Sequence, residues 1–210
     1  FNIPTGIFRG FENIGEHYGM LMAILGGNDA GGGVIWAPEV LQEAEKHGLI
    51  LSERGKIYNT LNGQNIPDNE SLMKPLSEKE LQNFPEYSTD EVVPNFVARD
   101  LDLYSLSKNK STTVIGERGK IYDKPGFQVE FISENSINNL VKKYDKDVVF
   151  MPVEGYWKID FENYSLILNP GDTFSLPKNN LFNLEPTKPG IATMYLVIPT
   201  NDKPGPTHWI

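Results

Sequence analysis

Glycine and proline interrupt this chain too often for long helices: 19 Gly and 15 Pro stand among 210 residues. Between them lie short runs rich in Val, Ile, Tyr and Phe, such as Asp147 to Pro152 and Thr193 to Ile198. Short β-branched and aromatic runs bounded by turn formers read as strands, so the chain is expected to be mainly β with a few short helices. A chain of this length buries about 70% of its unfolded surface when it folds, enough for a full core.

Sliding the sequence against itself by 173 positions aligns Phe1 to Trp36 with Phe174 to Trp209 without a gap. Identical pairs are Phe1/Phe174, Pro4/Pro177, Glu12/Glu185, Asn28/Asn201, Asp29/Asp202, Gly32/Gly205 and Trp36/Trp209, and Leu21 to Leu25 matches Met194 to Ile198 in apolar character. The pattern implies a diverged internal repeat. The chain opens on Phe1 without Met or a leader pattern. The expectation is therefore a fragment that begins inside its first domain, with an upstream segment removed. A second self-match, Glu53-Arg54-Gly55-Lys56-Ile57-Tyr58 with Glu117-Arg118-Gly119-Lys120-Ile121-Tyr122, lies outside this register and reads as two similar turns entering strands.

Between the copies, Pro38 to His47 has the marks of a helix: Pro at the first position, Glu39 early, Lys46 and His47 late, Gly48 just beyond, and Val40, Leu41 and Ala44 on one face. That face is expected against a barrel wall. Residues 60–95 are polar and Pro/Asn-rich, with capping-box spacing at Ser77-x-x-Glu80, and read as an interdomain linker. Ile137, Leu140, Val141 and Tyr144 fit a short amphipathic helix, with a strand as the alternative.

Residues 147–198 give strand, Glu154-Gly155 turn, strand, Pro170-Gly171-Asp172 turn, strand, then Pro177. Gly171 suits a tight turn, Asp172 can accept from neighbouring N–H groups, and Pro177 suits a strand entrance. This order resembles the cupin superfamily. The tail of that family's second motif also fits Pro4-x-Gly6-x-x-Arg9-x-x-x-Asn13, with Arg9 in the histidine position. With Trp36-Ala37-Pro38-Glu39-Val40, the chain looks most like bicupins of the quercetin-dioxygenase-like group. The resemblance implies a tandem of cupin barrels (double-stranded β-helix, or jelly roll): the C-terminal part of a first barrel in 1–36, a helix and linker in 37–95, and a second barrel in 96–210.

Metal-binding cupins use two or three His and one Glu, donors suited to divalent metals. Counted back from Gly155, those positions fall on Lys142, Tyr144 and Val148, or on Val141 and Lys143, with Phe182 last. None is a ligand, and the chain has three His in all. No cofactor is expected in this chain, although a divalent metal such as Fe is conceivable in the upstream part of the first cupin. His17 is read in a turn, His47 at a helix end and His208 at the tail.

Arg9 is expected to face the first barrel's interior, either paired with Glu12, Glu16 or the upstream segment, or gripping a ligand carboxylate, enolate or phosphate. Asn13 holds a turn or touches ligand, and Tyr156 and Phe182 line an apolar cavity or belong to the core.

Two functions follow. One is a degenerate, metal-free cupin that binds a small molecule, anionic if Arg9 is its anchor, or scaffolds oligomerisation. The other is a metal-dependent cupin dioxygenase, isomerase or lyase whose ligands lie in the upstream segment. Acidic residues outnumber basic ones 28 to 19, giving a net charge of -9 without a basic cluster, so nucleic acid and anionic membranes are not expected partners. No apolar run approaches a membrane span, and there is no cysteine. A cytoplasmic location is expected, as is a homodimer or association with the chain's own upstream segment.

Overall fold

A computed structural model describes residues 1–3, 7–24, 35–123, 125–137 and 142–200. Their contacts divide the described residues into two units, one of residues 7–86 and one of residues 1–3 and 87–200.

In the smaller unit, α1 (Pro38–Lys46) starts on Pro38, carries Glu39 in its first turn and Lys46 in its last, and is followed by Gly48 at φ 71°. The helix is thus where its end signals place it. No residue of α1 is buried, however, and its neighbour is the hairpin of β1 (Leu49–Leu51) and β2 (Ile57–Asn59), not a barrel wall. The Ser52–Gly55 turn leads into β2, as the Glu53-to-Tyr58 motif predicts. α2 (Glu78–Leu81) carries the expected capping box: Ser77 N–H donates to Glu80 Oε2 (2.8 Å) and Glu80 N–H to Ser77 Oγ (3.4 Å).

The half barrel expected in residues 1–36 has no strand among the described residues. Phe8, Phe11, Ile14, Tyr18, Met20, Leu21, Met22 and Ile24 are exposed. Leu21 to Leu25 resembles Met194 to Ile198 in composition, yet a strand needs a neighbour to take its N–H and C=O groups, and among the described residues Leu21 to Ile24 has no strand partner.

The larger unit begins with α3 (Thr89–Phe96) and α4 (Asp100–Leu106), the first of them inside the stretch expected to be linker. Asn2 joins this unit through its N–H to the Phe96 carbonyl (2.8 Å) and its amide to Asp123 (2.6 Å). Nine strands follow among the described residues: β3 (Thr112–Gly116), β4 (Ile121–Tyr122), β5 (Phe127–Ser133), β6 (Val148–Glu154), β7 (Trp157–Asp160), β8 (Ser165–Leu168), β9 (Phe174–Leu176), β10 (Asn183–Pro186) and β11 (Thr193–Pro199). They form a six-stranded sheet in the order β4-β3-β5-β11-β6-β9 and a three-stranded sheet in the order β10-β7-β8. All pairs are antiparallel except β3 with β4.

Period-two alternation sends Val148 and Phe150 of β6, and Met194 and Leu196 of β11, into the space between the sheets. Trp157 and Ile159 of β7, Leu168 of β8 and Leu184 of β10 meet them there. The outer face of the large sheet is also covered: Val114, Val129 and Phe131 pack under Leu103 of α4. Polar contacts, one of them buried, tie α4 and the chain after it to the sheet. Ser107 Oγ donates to Ser133 Oγ (2.8 Å), and Glu134 accepts from the Tyr104 hydroxyl and from Ala192 N–H (3.0 Å).

The two turns singled out in the sequence are where they were expected. Gly155 turns the chain from the large sheet to the small one at φ 70°, and Asp172 Oδ2 accepts from Asn169 N–H (2.7 Å) and Nδ2 (3.0 Å). Pro177 follows the last residue of β9, at the strand's exit instead of its entrance. Of the stretch read as helix or strand, residues 138–141 lie outside the described residues, while Lys142 makes an antiparallel bridge to Phe182.

Candidate functional site

β5 is buried on both faces, and this decides where its one carboxylate points. Val129 and Phe131 belong to the layer under α4, whereas Ile132 belongs to the core between the sheets. Alternation therefore puts Gln128 and Glu130 on the inner side with Ile132. One cross-strand row runs Thr113, Glu130, Leu196, Phe150, Phe174, polar at its β3 end and apolar toward β9. A bulge sets this register: between Thr113 and Ile115, β3 spends two steps against one of β5, so Thr113 faces Glu130 while Val114 turns to the opposite layer.

At the polar end of that row lies a cavity of about 730 Å³. Its inner lining includes Thr113, Gln128, Glu130 and Tyr144, and Lys110, Arg118 and Lys120 add three cations. Glu130 is 8% exposed and accepts from Thr113 Oγ1 (2.7 Å) and from the Gln128 amide. Tyr144 stacks on Phe182 at 5.9 Å, and Phe182 meets Phe150 edge-on at 5.6 Å, so an aromatic layer separates the cavity from the core. Burial, and then the negative charge of Glu130, raise the Tyr144 phenol above its ordinary pKa, which keeps it a neutral donor. Burial pulls the half-buried Lys142 below its ordinary value.

The four residues singled out in the sequence do not build this site. Arg9 is exposed instead of facing a barrel interior, because the strands that would enclose it are absent from the described residues. Asn13 is an exposed turn residue: its Oδ1 accepts from Gly15 N–H (3.1 Å) and its amide donates to the His17 carbonyl (2.7 Å). Tyr156 is 50% exposed beside the Gly155 turn, and Phe182, 1% exposed, is core. Sequence reasoning missed the cavity residues although two signals were present. One is the repeated Glu-Arg-Gly-Lys motif, whose second copy puts Arg118, Gly119 and Lys120 on the cavity. The other is a lone Glu inside the apolar strand Phe127–Ser133.

The positions that hold metal in metal-binding cupins do not fit a metal here. Lys142 and Phe182 pair through their backbones (2.7 and 3.0 Å), the Tyr144 ring stacks on Phe182, and Val148 is fully buried. Those side chains present hydrocarbon, a phenol and an ammonium where imidazole and carboxylate would be required. Among the described residues no three His, Asp or Glu come together as a ligand set.

Fold and site together define a β-sandwich with a polar cavity at one end of its core. Among solved structures, the chain is similar to a cupin-2 domain protein from Shewanella frigidimarina, with 18% identity over 50% of this chain and 95% of that one, at a TM-score of 0.38. It is also similar to a cupin superfamily protein from Desulfitobacterium hafniense, with 15% identity over 66% and 97% of the two chains and a TM-score of 0.34. The EutQ protein of Clostridium difficile matches 44% of this chain and 68% of its own at 12% identity and a TM-score of 0.35. No family model and no curated protein sequence matches. Among the described residues, no helix is long and apolar enough to cross a membrane.

Proposed function

We propose that the larger unit is a cupin-type sandwich that works without a metal and binds a small anionic molecule in the cavity between β3, β5 and Tyr144. The observation that carries this reading is local charge. In a chain with a net charge of -9, Lys110, Arg118 and Lys120 line one cavity, and none has an ion-pair partner among the described residues. Lys and Arg around a concave surface suit a carboxylate or phosphate, and Arg118 offers a fork of donors for two oxygens at once. The volume falls within the range of about 300–1,000 Å³ common for small-molecule sites.

Titration of the chain with succinate and with inorganic phosphate, followed by amide NMR, tests the reading. Shifts are expected in the Gly116–Ile121 turn and in β5, and replacing Arg118 and Lys120 by Gln should weaken binding about tenfold for each charge-assisted hydrogen bond removed. Binding that is unchanged in the double variant, or shifts confined elsewhere, would defeat it.

The metal-free part has its own test. Elemental analysis of the purified chain is expected to show well under one equivalent of Fe, Mn, Ni or Zn. A stoichiometric metal whose removal perturbs residues of the larger unit would overturn it.

A further inference from the structure

Among the described residues, Glu130 is the one acid lining a cavity that also carries Lys110, Arg118 and Lys120. Both of its hydrogen bonds, from Thr113 Oγ1 and from Gln128 Nε2, end on the same oxygen, Oε1. Its other oxygen, Oε2, has no donor, and no Lys, Arg or His lies within 4.0 Å of the carboxylate among the described residues. A carboxylate has about four acceptor positions, and a buried one that keeps its charge needs donors or a cation to offset lost hydration. Thr113 and Gln128 fill two positions, both on Oε1, in a residue that lines the cavity, and leave Oε2 to take a donor from a ligand there.

We infer that the ligand is a zwitterion, with a primary ammonium seated on Glu130 Oε2 and a carboxylate or phosphate among Lys110, Arg118 and Lys120. This rests on the anion-binding reading of the same cavity and adds its selectivity. An ammonium suits Oε2 better than a hydroxyl does, because either would donate a charge-assisted hydrogen bond to the carboxylate but only the ammonium also brings a positive charge that offsets the buried negative one. The Tyr144 phenol, on the same cavity, remains a neutral donor or acceptor for the ligand's middle.

The test is an affinity comparison on the full chain at neutral pH with matched probes: 4-aminobutanoate, 4-hydroxybutanoate and butanoate, and O-phosphoethanolamine against ethyl phosphate. The ammonium-bearing probe of at least one series should bind about tenfold or more tightly than its partners, and the two series tell which anionic end the cavity takes. In Glu130→Gln, which keeps the size of the side chain and an acceptor for Thr113, that advantage should vanish while the probes lacking nitrogen bind as before or better. Lys120→Gln should weaken all probes alike.

Equal affinity for ammonium and hydroxyl probes, or an advantage that survives E130Q, overturns the zwitterion inference. If such probes still weaken in Lys120→Gln, the anion reading stands without it. An ammonium preference that depends on Glu130 but is indifferent to the cations leaves the anionic end without its seat and overturns both the zwitterion inference and the anion reading. No binding of any probe overturns the inference, and the phosphate and succinate titration then decides the anion reading separately. The wild-type comparison is decisive by itself should E130Q fail to fold.

Discussion

Phe150→Ala is expected to destabilise the larger unit by about 3–5 kcal/mol, the range for deleting a buried aromatic ring. Phe150 is fully buried in the middle of β6, and its ring meets Phe182 edge-on at 5.6 Å and lies 6.2 Å from Phe174. It lies opposite Leu196 in the cross-strand register and packs in the same core as Trp157 and Ile159 of the facing sheet. The surrounding groups belong to two hydrogen-bonded sheets and cannot collapse far into the space left behind, so most of the cavity cost is retained. Urea unfolding followed through tryptophan fluorescence, with Trp36 and Trp209 replaced by Phe so that Trp157 alone reports, should show a lower midpoint at nearly constant slope. A loss below about 1 kcal/mol, the ordinary size of a point-mutant effect, would show that Phe150 is not sealed between the sheets. The aromatic layer under the cavity rests on this ring through Phe182, so the anion binding proposed for the cavity should weaken in the same variant.

Gly155→Ala is expected to cost about 2–5 kcal/mol, from two causes that add at one position. Its φ of 70° lies in the left-handed region, where a Cβ costs about 1–2 kcal/mol. A Cβ there would also meet Ala192 Cβ at 2.7 Å, Ala192 Cα at 2.9 Å and the Ile191 carbonyl oxygen at 2.9 Å, and crowding of this kind costs about 1–3 kcal/mol more. Gly63 separates the causes. Its φ of 77° is similar but no atom lies within 4 Å of a built Cβ, so Gly63→Ala should show the backbone cost alone. Similar losses in the two variants, read from chemical denaturation, would mean that the chain moves away from Ala192 at little cost and that the Gly155 turn does not fix the spacing of the sheets.

What was legible in the sequence shares one property: its causes lie within a few residues. The α1 helix follows from Pro38, Glu39, Lys46 and Gly48. The α2 cap follows from Ser77 and Glu80, three positions apart, and the Pro170-Gly171-Asp172 turn closes through Asp172 onto Asn169. The strands around Phe150 and Leu196 announce themselves because a strand covered on both faces is apolar at nearly every position. The mainly β class and the Gly155 turn are therefore readable from the residues themselves.

The cavity is not, because its parts become neighbours only through strand pairing. Lys110, the Arg118–Lys120 turn, Glu130 and Tyr144 are far apart along the chain, and the pairing of β3 with β5, together with the bulge after Thr113, decides which of them share a face. A slip of one residue would send Glu130 to the layer under α4 and Phe131 to the inside. Arg9 shows the converse: its place in a motif assigned it an interior, but an interior exists only where other strands enclose it, and among the described residues none does. Leu21 to Leu25 and Met194 to Ile198 are similar in composition, yet Met194 to Ile198 lies between two strands that take its backbone hydrogen bonds, β5 and β6, whereas Leu21 to Ile24, the described part of the other stretch, is not in a strand. The sequence by itself determined the turns, the caps and the apolar strands, whose energies are local. The tertiary structure alone decided which polar residues face one another, because strand register is settled by the whole buried face at once.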